Sequence, residues 1–286
     1  MPASLVDIAE CGPRNEQASG RDRSPLLAVG IAGIGTWTRG APDWPSLRAL
    51  LRGEAGWRED APARPAASIL PSGERRRAPD SVLLAAEIAG QACAAAGREP
   101  ASLPCVFAST HGELAITDYM CATLATAPHE LSPTKFHNSV HNAPAGYWTI
   151  AAQCTAGSSA VTGCHASFGA GLLEAAALAV VDGTPVLFAA YDIASSGPLA
   201  EMTRTTRAFG AALVIVPGGD GFPRLCIATR DPGAPVAAAP DCVSDLANDN
   251  PLVAHALAFL NALAGAGARL TLPAASGLML DMEIRT

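Results

Sequence analysis

Residues 135–192 constrain the fold of this chain more than any other stretch, because they read as one mechanical unit. SSAVTG (158–163) is a short run of small and β-branched residues with strand character. CHAS (164–167) is a tight junction. FGAGLLEAAALAVV (168–181) is an Ala/Leu-rich helix that stops at Asp182-Gly183, glycine being the natural helix end. VLFAAYD (186–192) is a second, continuously apolar strand, as expected where both faces of a sheet are covered. Strand, sharp turn, helix, strand is where α/β enzymes seat a nucleophile, because the backbone N–H groups at a helix start favour negative charge. The same stretch holds His137, His141, Cys164 and His165.

The rest of the 286 residues can bury that unit. Hydrophobic residues make up 49% and charged residues 16%, enough apolar material for a sizeable core and too much for a disordered chain. A net charge of -7 argues against nucleic acid as a partner. The one basic run, Glu74-Arg75-Arg76-Arg77, reads as a solvated helix start. Eight cysteines are scattered without a CxxC pair, which fits small reduced thiols in a cytoplasmic protein better than a disulfide framework. No apolar run reaches the roughly 18 uninterrupted residues of a membrane span, and the polar residues 1–25 read as a flexible tail without a secretory signal.

Along the chain, residues 26–35 are expected to form a buried strand followed by a glycine turn. Its GIAGIG spacing does not match a dinucleotide fingerprint. Residues 45–53 and 80–97 are expected helices, the second capped by Asp80 or Ser81 and ended by Gly97. Residues 104–110 form an expected strand, and His111-Gly112-Glu113 the start of a helix, with Glu113 placed against its dipole. Residues 195–206 read as a loop. Residues 208–216 and 225–230 read as strands that could pair as a hairpin, 251–265 as a helix and 277–284 as a last strand. Alternating strands and helices argue an α/β fold.

This order of segments resembles the β-ketoacyl synthase family of the thiolase fold. Residues 31–35, followed by Trp44, Leu47, Leu50 and Gly53, look like that family's opening strand and first helix. Asn142-Ala143-Pro144-Ala145-Gly146 looks like its N-x-x-A-G segment, and residues 158–176 like its nucleophile elbow. The resemblance covers roughly residues 26–217. It implies a thiolase-like fold whose first half is largely complete and whose second half is shortened: a tail at 1–25, a ketosynthase-like domain at 26–230, and a helix and strand segment at 231–286 packing on it. The family's two later histidine motifs are absent, and the only histidine after position 165 is His255. Such a chain looks like the short chain-length-factor group of aryl polyene and related pigment biosynthesis, to which SPTKFHNSVHNAPAGYWTIA (132–151) is the most similar part.

The resemblance implies a non-catalytic subunit. Counted back from Gly183, the family's nucleophile position falls on Ala166, and alanine cannot form the thioester that Claisen condensation requires. The rival is Cys164 with His165, as an acyltransferase or hydrolase acting on carrier-protein thioesters. Cys164 at a strand end is expected to be a buried, inert thiol, with His165 pointing to the other face. His137 and His141 have a metal-like spacing of four, but Pro133, Asn138, Ser139 and Asn142 predict an irregular loop without further ligands, so no metal or cofactor is expected. Tyr147, Trp148 and Phe168 could gate an acyl tunnel or simply pack in the core. The short, uncharged strand at 158–163 predicts a pairing interface around Ser159, Val161, Thr162, Ser167 and Phe168. The implied partners are an active ketosynthase subunit and, through it, an acyl carrier protein.

Overall fold

The computed structural model describes residues 27–233 and 235–286. The expected tail at 1–25, the first strand residue Leu26 and Cys11 lie outside the described residues. In chain order the elements are β1 (Leu27–Thr38), α1 (Trp44–Leu51), α2 (Ser72–Arg77), α3 (Asp80–Ala96), β2 (Cys105–Ala108), α4 (Leu114–Thr126), α5 (Pro133–His137), α6 (Ala143–Ala151), β3 (Ser158–Val161), α7 (Ser167–Asp182) and β4 (Val186–Asp192). There follow α8 (Leu199–Thr203), β5 (Phe209–Pro217), β6 (Arg224–Arg230), α9 (Ser244–Asp249), α10 (Ala254–Ala264), β7 (Ala268–Ala275) and β8 (Leu278–Arg285). The strands form one eight-stranded mixed sheet in the order β3-β2-β4-β5-β1-β6-β8-β7, giving the expected α/β class.

Both faces of the sheet are covered, which is why its central strands are apolar throughout. On one face α7, α1 and α10 bury Leu172, Phe168, Leu47 and Phe259 against Val106, Phe188, Leu213 and Ile215. On the other, α3 and α6 bury Leu84, Ile88 and Trp148 against Phe107, Leu187, Ala212 and Val214. The glycines of GIAGIG form no turn. They lie inside β1, where a Cβ at Gly33 or Gly35 would collide with the carbonyl oxygens of Ala92 or Ile88, so their bareness lets α3 lie directly on the sheet.

Three further expectations are corrected. Residues 208–216 and 225–230 do not pair as a hairpin, because β1 runs antiparallel to both and lies between them. The link crosses the end of β1, with Gly219 stacked on Gly30 and the N–H of Ile31 donating to the Pro223 carbonyl at 3.0 Å. Neither Asp80 nor Ser81 caps α3; Pro79 takes that place without a side-chain bond, and Asp80 pairs with Arg64 instead. Helix α8 lies within the expected loop at 195–206. Strand β7 has no clear signature in the sequence, since Gly265, Gly267 and Pro273 break its pattern; proline is tolerated there because β7 is an edge.

Candidate functional site

The elbow is built by four segments that meet beyond the ends of β2, β3 and β4. Strand β3 stops at Val161, so Cys164 is past the strand, in the turn before α7. The expectation of a buried strand-end thiol is therefore corrected: Cys164 is exposed and left-handed, with φ at 52°. A non-glycine residue adopts that backbone only when its surroundings hold it there. Ala166 follows as the N-cap residue of α7, with an ordinary φ of -100° and a buried methyl. Of the two candidate nucleophile positions, the constrained and accessible one is Cys164.

The turn is tied down at the Cys164 carbonyl. The Ser167 hydroxyl donates to it at 2.6 Å and the Ser167 N–H at 3.1 Å, while Ser167 Oγ accepts the Gly163 N–H at 3.0 Å. Thr110 Oγ1 lies 3.2 Å from the same carbonyl. Behind Thr110 is Asp192, the last residue of β4, buried and with no cationic partner among the described residues. Its carboxylate accepts from Ser109 Oγ at 3.0 Å and from the Thr110 N–H at 2.9 Å. Burial still outweighs these donors and raises its pKa to about 6.

Three histidines approach this turn. His165 is exposed beside Cys164. His255, on α10, places Nδ1 3.0 Å from the His165 carbonyl oxygen; since that oxygen only accepts, Nδ1 carries the proton and Nε2 remains available. His111 follows β2. Burial lowers the pKa of both His255 and His111; at His255 the hydrogen bond to the His165 carbonyl works against this, and at both the charge of His165 adds to it. The reach of His255 to a residue 90 positions earlier has no signal in the sequence; only the folding of α10 against α7 creates it.

The remaining candidates separate into layers. Ser159 and Val161 are half-buried on β3, and Thr162 is exposed, donating to the Thr110 carbonyl at 3.2 Å. Phe168 packs 5.5 Å from the rings of both Phe188 and Phe259, and Trp148 is fully buried near Phe107, so both belong to the core. Tyr147 is half-buried and donates to Asn138 Oδ1 at 3.1 Å. His137 ends α5, which corrects the expected irregular loop there. His141 donates through Nε2 to the Ser109 carbonyl at 2.9 Å, bracing the same corner. No group of three or more potential ligands forms a metal site among the described residues. Glu113 does serve a helix dipole, but that of α3: its buried carboxylate accepts the Ser81 N–H at 3.1 Å.

Among the described residues one segment, Cys164–Asp182, is long and apolar enough to cross a membrane by length and composition. It contains α7, whose Leu172, Ala175, Ala176 and Ala179 are buried in the core.

Edge and elbow lie together. Among the described residues strand β3 pairs only with β2, in parallel, and no strand lies on its other side. Nearby, Phe136, Val140 and Ile150 of the α5–α6 region are exposed at 59%, 51% and 80%.

The same architecture recurs in solved structures. A chain of the ketosynthase (ApeO) in complex with its chain length factor (ApeC) from Xenorhabdus doucetiae superposes with a TM-score of 0.69 at 22% identity, over 90% of this chain and 99% of that one. The ishigamide ketosynthase/chain length factor matches with a TM-score of 0.63 at 16% identity, over 91% and 99%. A type II polyketide synthase acyl carrier protein in complex with its ketosynthase (AntDE:AntF) matches with a TM-score of 0.65 at 11% identity, over 91% and 99%. These likenesses show the thiolase-like ketosynthase fold. No curated protein matches the chain. The family model for the β-ketoacyl synthase N-terminal domain matches residues 51–275, most of the chain's length, and this protein belongs to that family.

Proposed function

We propose that this chain is a chain-length factor, a non-catalytic subunit that pairs with an active β-ketoacyl synthase and shapes its acyl tunnel. The observation that carries the proposal is the open, uncharged edge β3 beside an exposed elbow, in a chain without the family's two later histidine motifs. An edge of this kind is a liability unless another chain pairs with it. The apolar side chains of Phe136, Val140 and Ile150 extend the candidate interface. The neighbours described as ketosynthase and chain length factor complexes support the reading.

On this reading the ketosynthase domain spans 26–230 and is completed by 231–286, whose β8 pairs with β6 and whose β7 pairs with β8. The setting is cytoplasmic, and the product class is an aryl polyene or related polyketide. An acyl carrier protein delivers chains through the partner, and no cofactor is required. Co-expression with a ketosynthase followed by size-exclusion chromatography tests the pairing. A stable monomer indifferent to every ketosynthase tried would sink it.

A second reading has one specific observation in its favour, the accessible left-handed Cys164 with His165 and His255 beside it. It makes the chain a Cys164-dependent acyltransferase or hydrolase. Incubation with acyl carrier protein thioesters, read by mass spectrometry, separates the two. An acyl adduct that vanishes in Cys164→Ser selects the second; none forming selects the first.

A further inference from the structure

Thr110 has one hydroxyl proton and three acceptors around it. Oγ1 lies 3.2 Å from the Cys164 carbonyl oxygen, 3.3 Å from Asp192 Oδ2 and 3.3 Å from Ser167 Oγ. The neighbouring hydroxyl protons are already committed. Ser167 gives its own to the Cys164 carbonyl, and Ser109 gives its own to Asp192 Oδ1 while accepting the Gly112 N–H at 2.9 Å. The N–H of Thr110 also goes to Oδ1. Asp192 Oδ2 and the Cys164 carbonyl therefore compete for a single proton.

We propose that Asp192 and Thr110 form a proton-set latch on the elbow. When the carboxyl is neutral, its O–H donates to Thr110 Oγ1 and Thr110 passes its own proton to the Cys164 carbonyl. When the carboxyl has released its proton to solvent, Oδ2 takes the Thr110 proton, and the carbonyl loses that bond and keeps those from Ser167. The turn at Cys164 is held tightly in the first state and less tightly in the second. Because burial brings the Asp192 carboxyl to about 6, the two states exchange near neutral pH. Linkage gives the same sign. Opening the elbow to water eases the burial of Asp192, so opening is favoured where the carboxylate is charged. Asp192 and Thr110 are positioning residues here, and the latch stands whichever reading of Cys164 holds.

Other titratable groups face this corner. They are His111 after β2, His141 ahead of α6, His165 in the elbow, His255 on α10, and Glu113 and Tyr191 beside the carboxyl. Arg207 lies across Asn250, whose Nδ2 donates to the carbonyls of Asp192 at 3.3 Å and Arg207 at 2.9 Å. The test must separate Asp192 from these. Hydrogen exchange of the intact protein is followed by mass spectrometry from pH 5 to pH 8, corrected for intrinsic exchange, on the peptide spanning residues 162–168. Wild-type protection is expected to fall about two- to ten-fold as pH rises through 6, the worth of one hydrogen bond. Asp192→Asn, whose amide donates permanently to Thr110, is expected to stay protected across the range. Thr110→Val is expected to be poorly protected with no step, and Thr110→Ser to restore the step. A step that persists in Asp192→Asn or in Thr110→Val overturns the latch and assigns the pH response to the histidines. If Asp192→Asn does not fold, the contrast between Thr110→Val and Thr110→Ser decides.

Discussion

The two edges of the single sheet are finished in opposite ways. At one end, β7 is protected. It carries Pro273, which has no N–H to offer, and an irregular register between Pro273 and Ala275. Its Arg269 is paired with Glu283 at 3.3 Å. Helix α7 rests on it so closely that a Cβ on Gly169 would collide with the Pro273 carbonyl. At the other end, β3 has four residues, no charge and no proline, and the elbow projects beside it. Natural sheets blunt exposed edges with charge, proline and irregular backbone. The devices are present at β7 and missing at β3. On the proposed reading, β3 is the edge a second chain would pair with, and β7 is the edge that needs none.

The largest expected effect is in the core between the two edges. Phe168 joins α7 to β4 and α10 through Phe188 and Phe259, each at 5.5 Å. Phe168→Ala is expected to cost about 3–5 kcal/mol, as deletion of a buried ring does in a close-packed core. Denaturant unfolding measures it. A loss below about 1 kcal/mol would mean that α7 is held mainly by its other contacts.

The middle of the sheet was legible in the sequence and its two edges only partly so. The continuous apolar runs of β4 and β5 and the glycine end of α7 are local patterns, and they fold as they read. The bare Gly33 and Gly35 were visible, but their purpose was not, because the helix that needs them lies about 50 residues later in the chain. Strand β7 was hidden by Pro273, whose acceptability depends on an edge position that only the assembled sheet defines. Helix α6 was hidden within the N-x-x-A-G segment by Pro144 and Gly146. In the elbow, the residue types were legible and their geometry was not. Counting along a helix cannot show that the left-handed residue is Cys164, nor that His255 and Asp192 converge on its turn.

Acid titration separates the corner from the edges. The folded state raises the Asp192 carboxyl from an ordinary carboxylate value to about 6, through burial. Between about pH 4 and 6 the folded chain keeps a proton that the unfolded chain has lost, so this group's contribution falls as pH rises through that window and is flat above it. At about 1.4 kcal/mol per unit, the wild type should lose on the order of 2–3 kcal/mol between pH 4 and pH 7 relative to Asp192→Asn. Glu113, also raised by burial, moves both proteins alike. Urea unfolding at a series of pH values gives the difference; parallel curves would remove Asp192 as a titrating group.

A smaller cost is expected at the seam that closes the protected edge. Gly169→Ala forces the α7 backbone away from Pro273, and overpacking of this kind costs about 1–3 kcal/mol. Unfolding midpoints measure it. An unchanged midpoint would show that β7 moves freely against α7, and the contrast between the edges would rest on Pro273 and Arg269 alone.

The smallest effect on stability should accompany the clearest effect on association. In β3 the ladder to β2 is carried by alternate residues: the Cys105 N–H donates to the Gly157 carbonyl at 3.0 Å and the Ser109 N–H to the Val161 carbonyl at 3.2 Å. That alternation turns the N–H groups of Ser158 and Ala160 outward, toward the open side. Ala160 is exposed, so proline there removes one outward donor and leaves the ladder whole, as at a natural edge. Ala160→Pro is therefore expected to change stability by less than about 1 kcal/mol. If β3 is where a ketosynthase pairs, the same substitution abolishes the co-eluting complex. A complex that forms unimpaired with Ala160→Pro would show that β3 does not pair with the partner, and would move the candidate interface to Phe136, Val140 and Ile150.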